Sequence, residues 1–526
     1  MKVLVSDVLG EIGIQMFQAE EGIEVDVKTD LSPEELKQVI GAYDALVIRS
    51  ATKVTRDLLE AATNLKVVGR AGIGLDNVDI PAATQKGVAV MNAPGGNVVT
   101  TAEHAIAMMM ALTRNIPRGT ATLKARKWEK KKLQGREIFE KVLGVIGYGK
   151  IGAIVANRAR GLKMQVVIHD PFVASEKIEQ DGYKSVSLDE LYETADYITV
   201  HVPKLKDTTG LINRAAFEKM KPGVMLITCA RGGIVNEDDL HEAITQGKVA
   251  GAALDVFETE PPGDLPLLAL DQVICTPHLG ASTREAQTNV AVAVAEQIIH
   301  FLKNGSVRNA VNAPSVTGRL LDKLGPYLSL GEQMGILQSQ LNQGPLTEVA
   351  IEYAGDFKGL DLAPVSTAAL KGILAPHVRD MVNFVNAPTI AKERGIKVTE
   401  TISTEAKDYL NLIIMRVTTT DSTHTVSGTI FGKKEARIVR INTFRLEMIT
   451  HGHLALIHNV DRPGSIGQIG TILGKHNINI NRMQVGQEEE GDNNIIFLCT
   501  DRPIPPDVAK ELQDLSLVKT VTPLEL

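Results

Sequence analysis

The sequence predicts an α/β protein with two doubly wound, parallel-sheet domains over its first ~310 residues, then an α+β region and a compact β-α-β-β-α-β unit. Three observations predict this. Short apolar runs alternate with helix-patterned segments from the first residue to about residue 285. A glycine turn, Gly147-Tyr148-Gly149-Lys150-Ile151-Gly152, directly follows the apolar run Val142–Ile146. After His451-Gly452 the pattern condenses into four strand signals and two helix signals.

Taken in order, Lys2–Ser6 and Val25–Val27 read as strands, and Ser32-Pro33-Glu34-Glu35 as a helix start with Pro at the first position. Ala45–Arg49, Lys66–Gly69 and Val88–Asn92 are further short strands ending in polar residues. A second series begins at 98, with strands at Gln165–Asp170, Tyr197–Val202, Val224–Thr228, Gly251–Asp255 and Gln272–Thr276. Residues 284–303 read as one long helix, and Gly305–Pro314 as a linker. Beyond it, Leu320–Gln343 and Thr367–Phe384 are expected to be helical, and Glu348–Tyr353, Tyr409–Thr419 and His424–Ile430 extended. In the last unit Leu454–Asn459, Ile478–Gln484, Asn494–Thr500 and Lys519–Leu524 read as strands. Ser465–His476 and Pro506–Leu515 are its helices, and Asp461-Arg462-Pro463-Gly464 is a turn with Pro and Gly in turn positions.

The glycine turn has a specific physical reading. The first Gly permits the tight turn, the second lets the backbone approach a pyrophosphate, and the third lets helix and strand pack closely. Asp170 ends the next strand 18 positions after Gly152, where the fingerprint expects a carboxylate on the ribose. A carboxylate there bonds the ribose hydroxyls and repels a 2′-phosphate, which favours NAD over NADP. The domain is therefore Rossmann-like. An upstream segment, Gly69-Arg70-Ala71-Gly72-Ile73-Gly74-Leu75-Asp76-Asn77, fails the same test because Asn77 stands where the third Gly belongs. Its closely spaced amides suit a nest for a carboxylate instead.

With 526 residues the chain exceeds a single core, and its length suggests three or four domains. A hydrophobic content of 44% and a charged content of 23% describe an ordinary globular protein. A net charge of −7 and a pI of about 6.0 argue against nucleic acid or an anionic membrane as the main partner. An anionic substrate must then be drawn in by local arginines. Cys229, Cys275 and Cys499 fit neither a disulfide framework nor a zinc site, so no metal is expected and a reducing cytoplasm is. Met1–Asp7 shows no signal-peptide pattern, and the most apolar helix candidate, Ala102–Leu112, is too short to span a bilayer.

Three motifs follow the glycine turn, each at the C-terminal end of an expected strand, where open α/β sheets place ligands. They are Cys229-Ala230-Arg231-Gly232-Gly233, Leu254-Asp255 through Glu260-Pro261, and Thr276-Pro277-His278-Leu279-Gly280. Oxidising an alcohol with NAD needs a base for the hydroxyl proton, and His titrates in the right range. It also needs a forked cation to hold a substrate carboxylate and polarise the forming carbonyl, which suits Arg231. A carboxylate such as Glu260 on the far imidazole nitrogen fixes the tautomer.

These residues resemble the D-2-hydroxyacid dehydrogenase superfamily, and the whole length resembles its long-form D-3-phosphoglycerate branch with a C-terminal ACT domain. Val47–Thr52, Gly69–Asp79, Pro94–Asn97, the glycine turn and the three motifs carry the resemblance. It implies Arg231, Glu260 and His278 as the catalytic group. It implies an NAD site at Gly147, Gly149, Lys150, Ile151, Gly152, Asp170, Val202, Cys229, Ala230, Arg231, Asp255, His278 and Gly280. Substrate would be held by Arg49, Arg70, Gly72, Ile73, Gly74, Asn97, Arg231 and His278; Ile73 departs from the Thr common there. The implied domains are 1–96 with 285–308 for substrate, 97–284 for NAD with a cleft between the two, 309–447 as an intervening domain, and 452–526 as the ACT domain. The implied activity is oxidation of D-3-phosphoglycerate by NAD, leading to L-serine, in a cytoplasmic homotetramer. Such a substrate carries about three negative charges near pH 7, which Arg49, Arg70 and Arg231 suit. The run Lys130-Lys131-Lys132 is either a solvated charge cluster or a contribution to a neighbouring subunit's site.

In the ACT-like unit, Asn459, Asp461 and Asn479 match positions that hold L-serine, the implied effector, with Asp461 on the amino group. Lys433, Lys434 and Arg437 in the intervening domain suit an anion or merely face water. Two alternatives stay open: a glyoxylate or hydroxypyruvate reductase, and an NADH-sensing scaffold of the same fold.

Overall fold

The computed structural model describes all residues except 306, 308, 315–318, 379–381, 407, 433 and 489–491, and the side chains of 319–322. The chain divides into two compact units. The first comprises Met1–Leu9, Ile14–Asn92 and Val294–Leu526; the second comprises Gly10–Gly13 and Ala93–Ala293. The helix Arg284–Asn304 starts in one and ends in the other.

The first unit opens with a parallel sheet of β1 (Lys2–Val5), β2 (Glu24–Val27), β3 (Ala45–Ile48), β4 (Val67–Arg70) and β5 (Ala89–Asn92), in the order β2-β1-β3-β4-β5. Its central strand β3 is buried throughout and β1 beside it from Val3 on, as a parallel sheet covered by helices requires. Ser32 caps the helix Pro33–Val39 in a complete capping box with Glu35, so that helix begins where the Ser-Pro-Glu-Glu pattern places it. On β4, a Cβ at Gly69 would meet Ile298 Cδ1 at 2.5 Å, so glycine there lets the helix Arg284–Asn304 lie directly on the sheet.

The second unit holds seven parallel strands: β6 (Val142–Ile146), β7 (Gln165–His169), β8 (Lys184–Ser185), β9 (Tyr197–Val200), β10 (Val224–Thr228), β11 (Val249–Leu254) and β12 (Val273–Cys275). Their order, β12-β11-β10-β9-β6-β7-β8, reverses direction at β6. β9 and β10 are buried along their whole length, which explains why their sequences are continuous apolar runs rather than alternations. The parallel-sheet reading of both regions is correct.

The remainder of the first unit carries two more sheets. A mixed sheet in the order β14-β13-β15-β16-β17-β18 contains β13 (Leu346–Gly355), β14 (Lys397–Ser403), β15 (Asn411–Thr419), β16 (Thr423–Phe431), β17 (Glu435–Ile441) and β18 (Phe444–Ile449). The antiparallel sheet β20-β21-β19-β22, from β19 (His453–Val460), β20 (Ile480–Gln487), β21 (Asn493–Thr500) and β22 (Val518–Leu524), completes the expected ferredoxin-like unit with helices Ser465–Lys475 and Pro506–Gln513. The expected helix Thr367–Phe384 is corrected: the helix is Ala363–Leu374, followed by a 3₁₀ turn at Ala375–His377. Ala375 keeps helical dihedrals, but Pro376 lacks the N–H that would continue the α-helical ladder, so the helix gives way to the 3₁₀ turn. Lys433 lies outside the described residues.

The helices Arg319–Leu341 and Ala363–Leu374 pack through glycines. A Cβ at Gly335 would overlap the Ala369 carbonyl oxygen, and one at Gly372 the Glu332 carbonyl oxygen. Gly335→Ala should therefore force the helices apart and destabilise the protein by about 1–3 kcal/mol, read as a lowered Tm in calorimetry. Gly325→Ala on the same helix, where a Cβ meets nothing within 4 Å, should be neutral.

Candidate active site

In the second unit the glycine turn sits at the C-terminal end of β6, beside the reversal of strand order, where doubly wound sheets bind nucleotides. Gly147 has φ 95°, and a Cβ on it would meet the His201 carbonyl oxygen at 2.7 Å and Val202 Cγ1 at 2.8 Å. A Cβ on Gly152 would overlap the Gly147 carbonyl oxygen, whereas one on Gly149 would meet nothing within 4 Å. Turn, close packing and open approach are thus divided among the three glycines. The helix Lys150–Gly161 starts with Gly149 as N-cap and no side-chain cap, which leaves its first amides for an anion. Ile151 beside Lys150 is half-buried.

Asp170 leaves β7 and folds back on this turn. Its carboxylate accepts the Tyr148 amide at 2.7 Å, the Phe172 amide at 2.8 Å and the Val173 amide at 3.2 Å. A carboxylate has about four acceptor positions, so capacity remains for ribose hydroxyls. The residues fit an NAD site: an uncapped helix, an open glycine and an oriented carboxylate. Burial holds the nearby His201 imidazole down to about 4, and its Nε2 lies 2.8 Å from Thr199 Oγ1.

The catalytic candidates come from the ends of β10, β11 and β12. His278 Nδ1 lies 2.8 Å from Glu260 Oε2, and Glu260 Oε1 accepts the Phe257 amide at 3.1 Å. Both side chains are partly open, at 47% and 39% exposure. Arg231 donates through a guanidinium nitrogen to the Ala230 carbonyl at 2.7 Å. The two glycines after it are required by space and by backbone: a Cβ on Gly232 would overlap the Phe257 carbonyl, and Gly233 has φ 81°.

His278 itself adopts φ 53°, an uncommon conformation for a residue with a side chain. Asp255 holds it there. The Asp255 carbonyl accepts the His278 amide at 2.9 Å. Its fully buried carboxylate accepts Thr276 Oγ1 at 2.6 Å and the Leu279 and Gly280 amides at 2.7 and 2.8 Å. His104 Nε2 approaches the same carboxylate at 3.2 Å and Thr276 Oγ1 at 3.1 Å. Burial opposes ionisation of Asp255, but these four partners outweigh it and hold its carboxyl below the usual range. A Cβ on Gly280 would meet Asp255 Oδ2 at 3.0 Å.

His104 was not singled out from the sequence as a site residue, and Cys229 joins it: ligand atoms of His104, Cys229 and Asp255 all lie within 4.8 Å of one another. Burial, with the Asp255 charge beside it, pushes the Cys229 thiol far above its ordinary range. A protonated thiol is a poor metal ligand, and Asp255 is already spent on hydrogen bonds. The cluster reads as the brace of the His278 loop. Asn97, also in this unit, carries a buried carboxamide oxygen with no partner among the described residues, an acceptor that a ligand hydroxyl would satisfy. Lys130–Lys132 form an exposed 3₁₀ turn, with Lys132 on Glu129 at 3.0 Å.

In the first unit, Arg49 and Arg70 stand at the ends of β3 and β4, and Gly72, Ile73 and Gly74 follow β4. Arg70 Nε donates to the Arg49 carbonyl at 3.0 Å, and Asn92 Nδ2 to the Ile73 carbonyl at 2.6 Å. In the C-terminal sheet, Asn459 is fully buried and its carboxamide is spent on Ser465 Oγ at 2.8 Å and Asn494 at 3.2 Å. It therefore shapes the turn instead of facing solvent. Asp461 accepts Asn494 Nδ2 at 3.1 Å, and the Asn479 amide donates to Asp501 at 2.9 Å. Arg437 is paired with Glu435 at 2.7 Å.

Comparison with known proteins agrees with this fold. Residues 106–280 match the NAD-binding domain of D-isomer specific 2-hydroxyacid dehydrogenases. Residues 323–442 match the D-3-phosphoglycerate dehydrogenase intervening domain, and 453–517 the ACT domain. Among solved structures, the TT0316 protein of Thermus thermophilus is 31% identical and covers 59% of this chain and all of its own, with a TM-score of 0.55. D-lactate dehydrogenase of Aquifex aeolicus, solved with NAD and lactic acid, is 28% identical over 60% of this chain and all of its own, with a TM-score of 0.53. Fold and site thus define an NAD-binding dehydrogenase of the D-2-hydroxyacid class. Proteins named D-3-phosphoglycerate dehydrogenase from Archaeoglobus fulgidus and Bacillus subtilis are each 44% identical, over 100% of this chain and 100% and 99% of theirs. The chain belongs to the D-3-phosphoglycerate dehydrogenase family. No helix among its described residues is long and apolar enough to cross a membrane.

Asp255→Asn leaves buried donors facing an amide, and should cost about 1–3 kcal/mol at pH 7. Because the folded-state pKa of Asp255 is depressed, its stabilisation is complete above the unfolded value and lost as pH falls through the folded one. Denaturant midpoints of wild type and variant should therefore converge below about pH 4. A constant offset at every pH would exclude this role.

Proposed function

We propose that this protein oxidises D-3-phosphoglycerate to 3-phosphohydroxypyruvate with NAD, the entry to L-serine synthesis, and that L-serine regulates it. The observation that carries the reading is the Glu260–His278 pair at 2.8 Å, on a loop braced by Asp255 behind the dinucleotide turn. With Nδ1 on Glu260, His278 offers Nε2 to the substrate hydroxyl and takes its proton. Glu260 keeps that tautomer and stabilises the imidazolium that forms. Bound NAD supplies the acceptor for the hydride that leaves C2. Arg231 holds the substrate carboxylate and polarises the oxygen that becomes the carbonyl. Arg49 and Arg70 are the further cations that a substrate of about three negative charges requires, and we assign them to its phosphate.

We divide the chain by role into 1–96 with 285–308 for substrate, 97–284 for NAD, 309–447 as intervening domain and 452–526 as effector domain. Family membership and the ACT match support an amino-acid effector. Asp461 would meet the amino group of serine and Asn479 its carboxylate or hydroxyl, in a cytoplasmic homotetramer. The three described cysteines are all free, which suits a reducing compartment.

The test is NADH consumption with 3-phosphohydroxypyruvate while L-serine is titrated. Turnover that falls with serine supports the whole reading. Turnover indifferent to serine removes the effector assignment, and no turnover with NADH binding intact points to another 2-keto acid. In the same assay His278→Ala should lower kcat by roughly 10²–10⁴-fold with the Kd for NADH unchanged; near-full kcat would overturn its role.

A further inference from the structure

We propose that Asp7 and Asn77 are positioning residues that preset the Arg49–Thr52 loop to receive the phosphate end of the substrate. The inference rests on the assignment of Arg49 and Arg70 to that phosphate. In the first sheet the order β2-β1-β3-β4-β5 switches direction between β1 and β3, and open α/β sheets take ligands at the strand ends of such a switch. Asp7 follows β1 and Arg49 follows β3, so both flank that point.

Asp7 is only 6% exposed, and its carboxylate faces backbone donors of the next loop. It accepts the Arg49 amide at 2.6 Å, the Ala51 amide at 3.2 Å, the Thr52 amide at 3.1 Å and Thr52 Oγ1 at 2.6 Å. Asn77 closes the other side of the loop, with Nδ2 donating to the Arg49 carbonyl at 2.8 Å and the Thr52 carbonyl at 2.7 Å. Its Oδ1 accepts Arg70 Nε at 3.0 Å, and that same Nε also donates to the Arg49 carbonyl. A Cβ on Gly72 would meet the Arg70 guanidinium at 2.7 Å, so glycine there leaves the space that Arg70 occupies.

Three consequences follow from these bonds. The loop is held from both sides of its backbone, acceptor on one side and donor on the other, so its conformation is set before any ligand arrives. The Arg70 side chain is tied to the Arg49 carbonyl, which sets that guanidinium against the backbone of the loop. Asn77 also explains why the glycine-rich segment after β4 ends in an amide rather than a third glycine: the position needs two donors and an acceptor. Preorganisation of this kind lowers the cost of ordering a binding loop, and a shift of about 1 Å in a positioning group costs up to ~10²-fold.

The experiment compares full-length wild type, Asn77→Ala and Asp7→Asn with NADH and two keto acids, 3-phosphohydroxypyruvate and hydroxypyruvate, the latter as substrate or competitive inhibitor. Asn77→Ala should raise KM for the phosphorylated acid at least about tenfold, with kcat within about twofold. The Kd for NADH and the affinity for hydroxypyruvate should stay unchanged, which a merely structural defect would not allow. Asp7→Asn should show the same split more strongly; if it does not fold, Asn77→Ala decides alone. Equal losses for both keto acids, or an unmoved KM, overturn the inference while leaving the proposed function standing. Wild type that fails to turn over the phosphorylated acid overturns the function, and this inference with it.

Discussion

One interaction recurs where this chain holds a loop still: an aspartate just beyond a parallel strand accepts several backbone amides, at least one of them from a neighbouring loop. Parallel strands end together, and the loops beyond them have N–H groups with no ladder partner. Asp7 after β1, Asp170 after β7 and Asp255 after β11 each supply the missing acceptor. Hydrogen bonds to an ionised acceptor are roughly twice as strong as neutral ones, and each carboxylate makes at least three. The Arg49 loop, the nucleotide turn at Gly147 and the His278 loop are therefore held by one device. Local propensity alone would not hold the His278 loop, since His278 sits at φ 53°.

The chemistry inherits its precision from these braces and not from the ion pairs it displays. Glu260 and His278 are both more than a third exposed, so water screens their attraction, and pairs of this kind contribute about 0–1 kcal/mol to stability. The value of the contact is directional: it commits Nδ1 and leaves Nε2 for the proton transfer we propose. Asp255 does the opposite work. It is fully buried, contributes to stability, and is spent on the loop's donors and on His104.

What was legible in the sequence was what local pattern encodes. Buried parallel strands are short apolar runs, so β3, β9 and β10 were found at or within a residue or two of their ends, and the glycine turn announced its own strand and helix. Strand β14 was missed because both its faces are largely exposed, leaving Lys397–Ser403 with no apolar period to detect. The helix at 367–384 was drawn too long because its apolar pattern runs on past Pro376. In the candidate site, Arg231, Glu260 and His278 were legible as candidates because each follows a recognisable strand. Asp7, Asn77 and His104 were not assigned roles, because their partners lie 42, 28 and 151 positions away and only the folded topology brings them together.

The C-terminal sheet shows a further limit of reading by pattern, because its strands face two cores. Leu454 and Leu456 of β19 and Phe497 and Cys499 of β21 enter the core of the preceding mixed sheet. Ala455, Ile457, Ile496 and Leu498 enter the core beneath the unit's own helices. The strict alternation of the two sets follows from the period of two in a strand. An apolar run that reads as one buried strand is thus an adhesive face on each side. At about 1.5–3 kcal/mol for each large side chain fully buried, withdrawing Leu454, Leu456, Ile495, Phe497 and Leu524 from that shared core would cost on the order of 10 kcal/mol. Detachment of the ACT unit from the intervening region is therefore far more costly than the 1–3 kcal/mol typical of coupling between sites. A ligand at the effector site proposed on the turn at Asp461 would act on a sheet that carries the intervening region with it, and any movement it selected would be a movement of both.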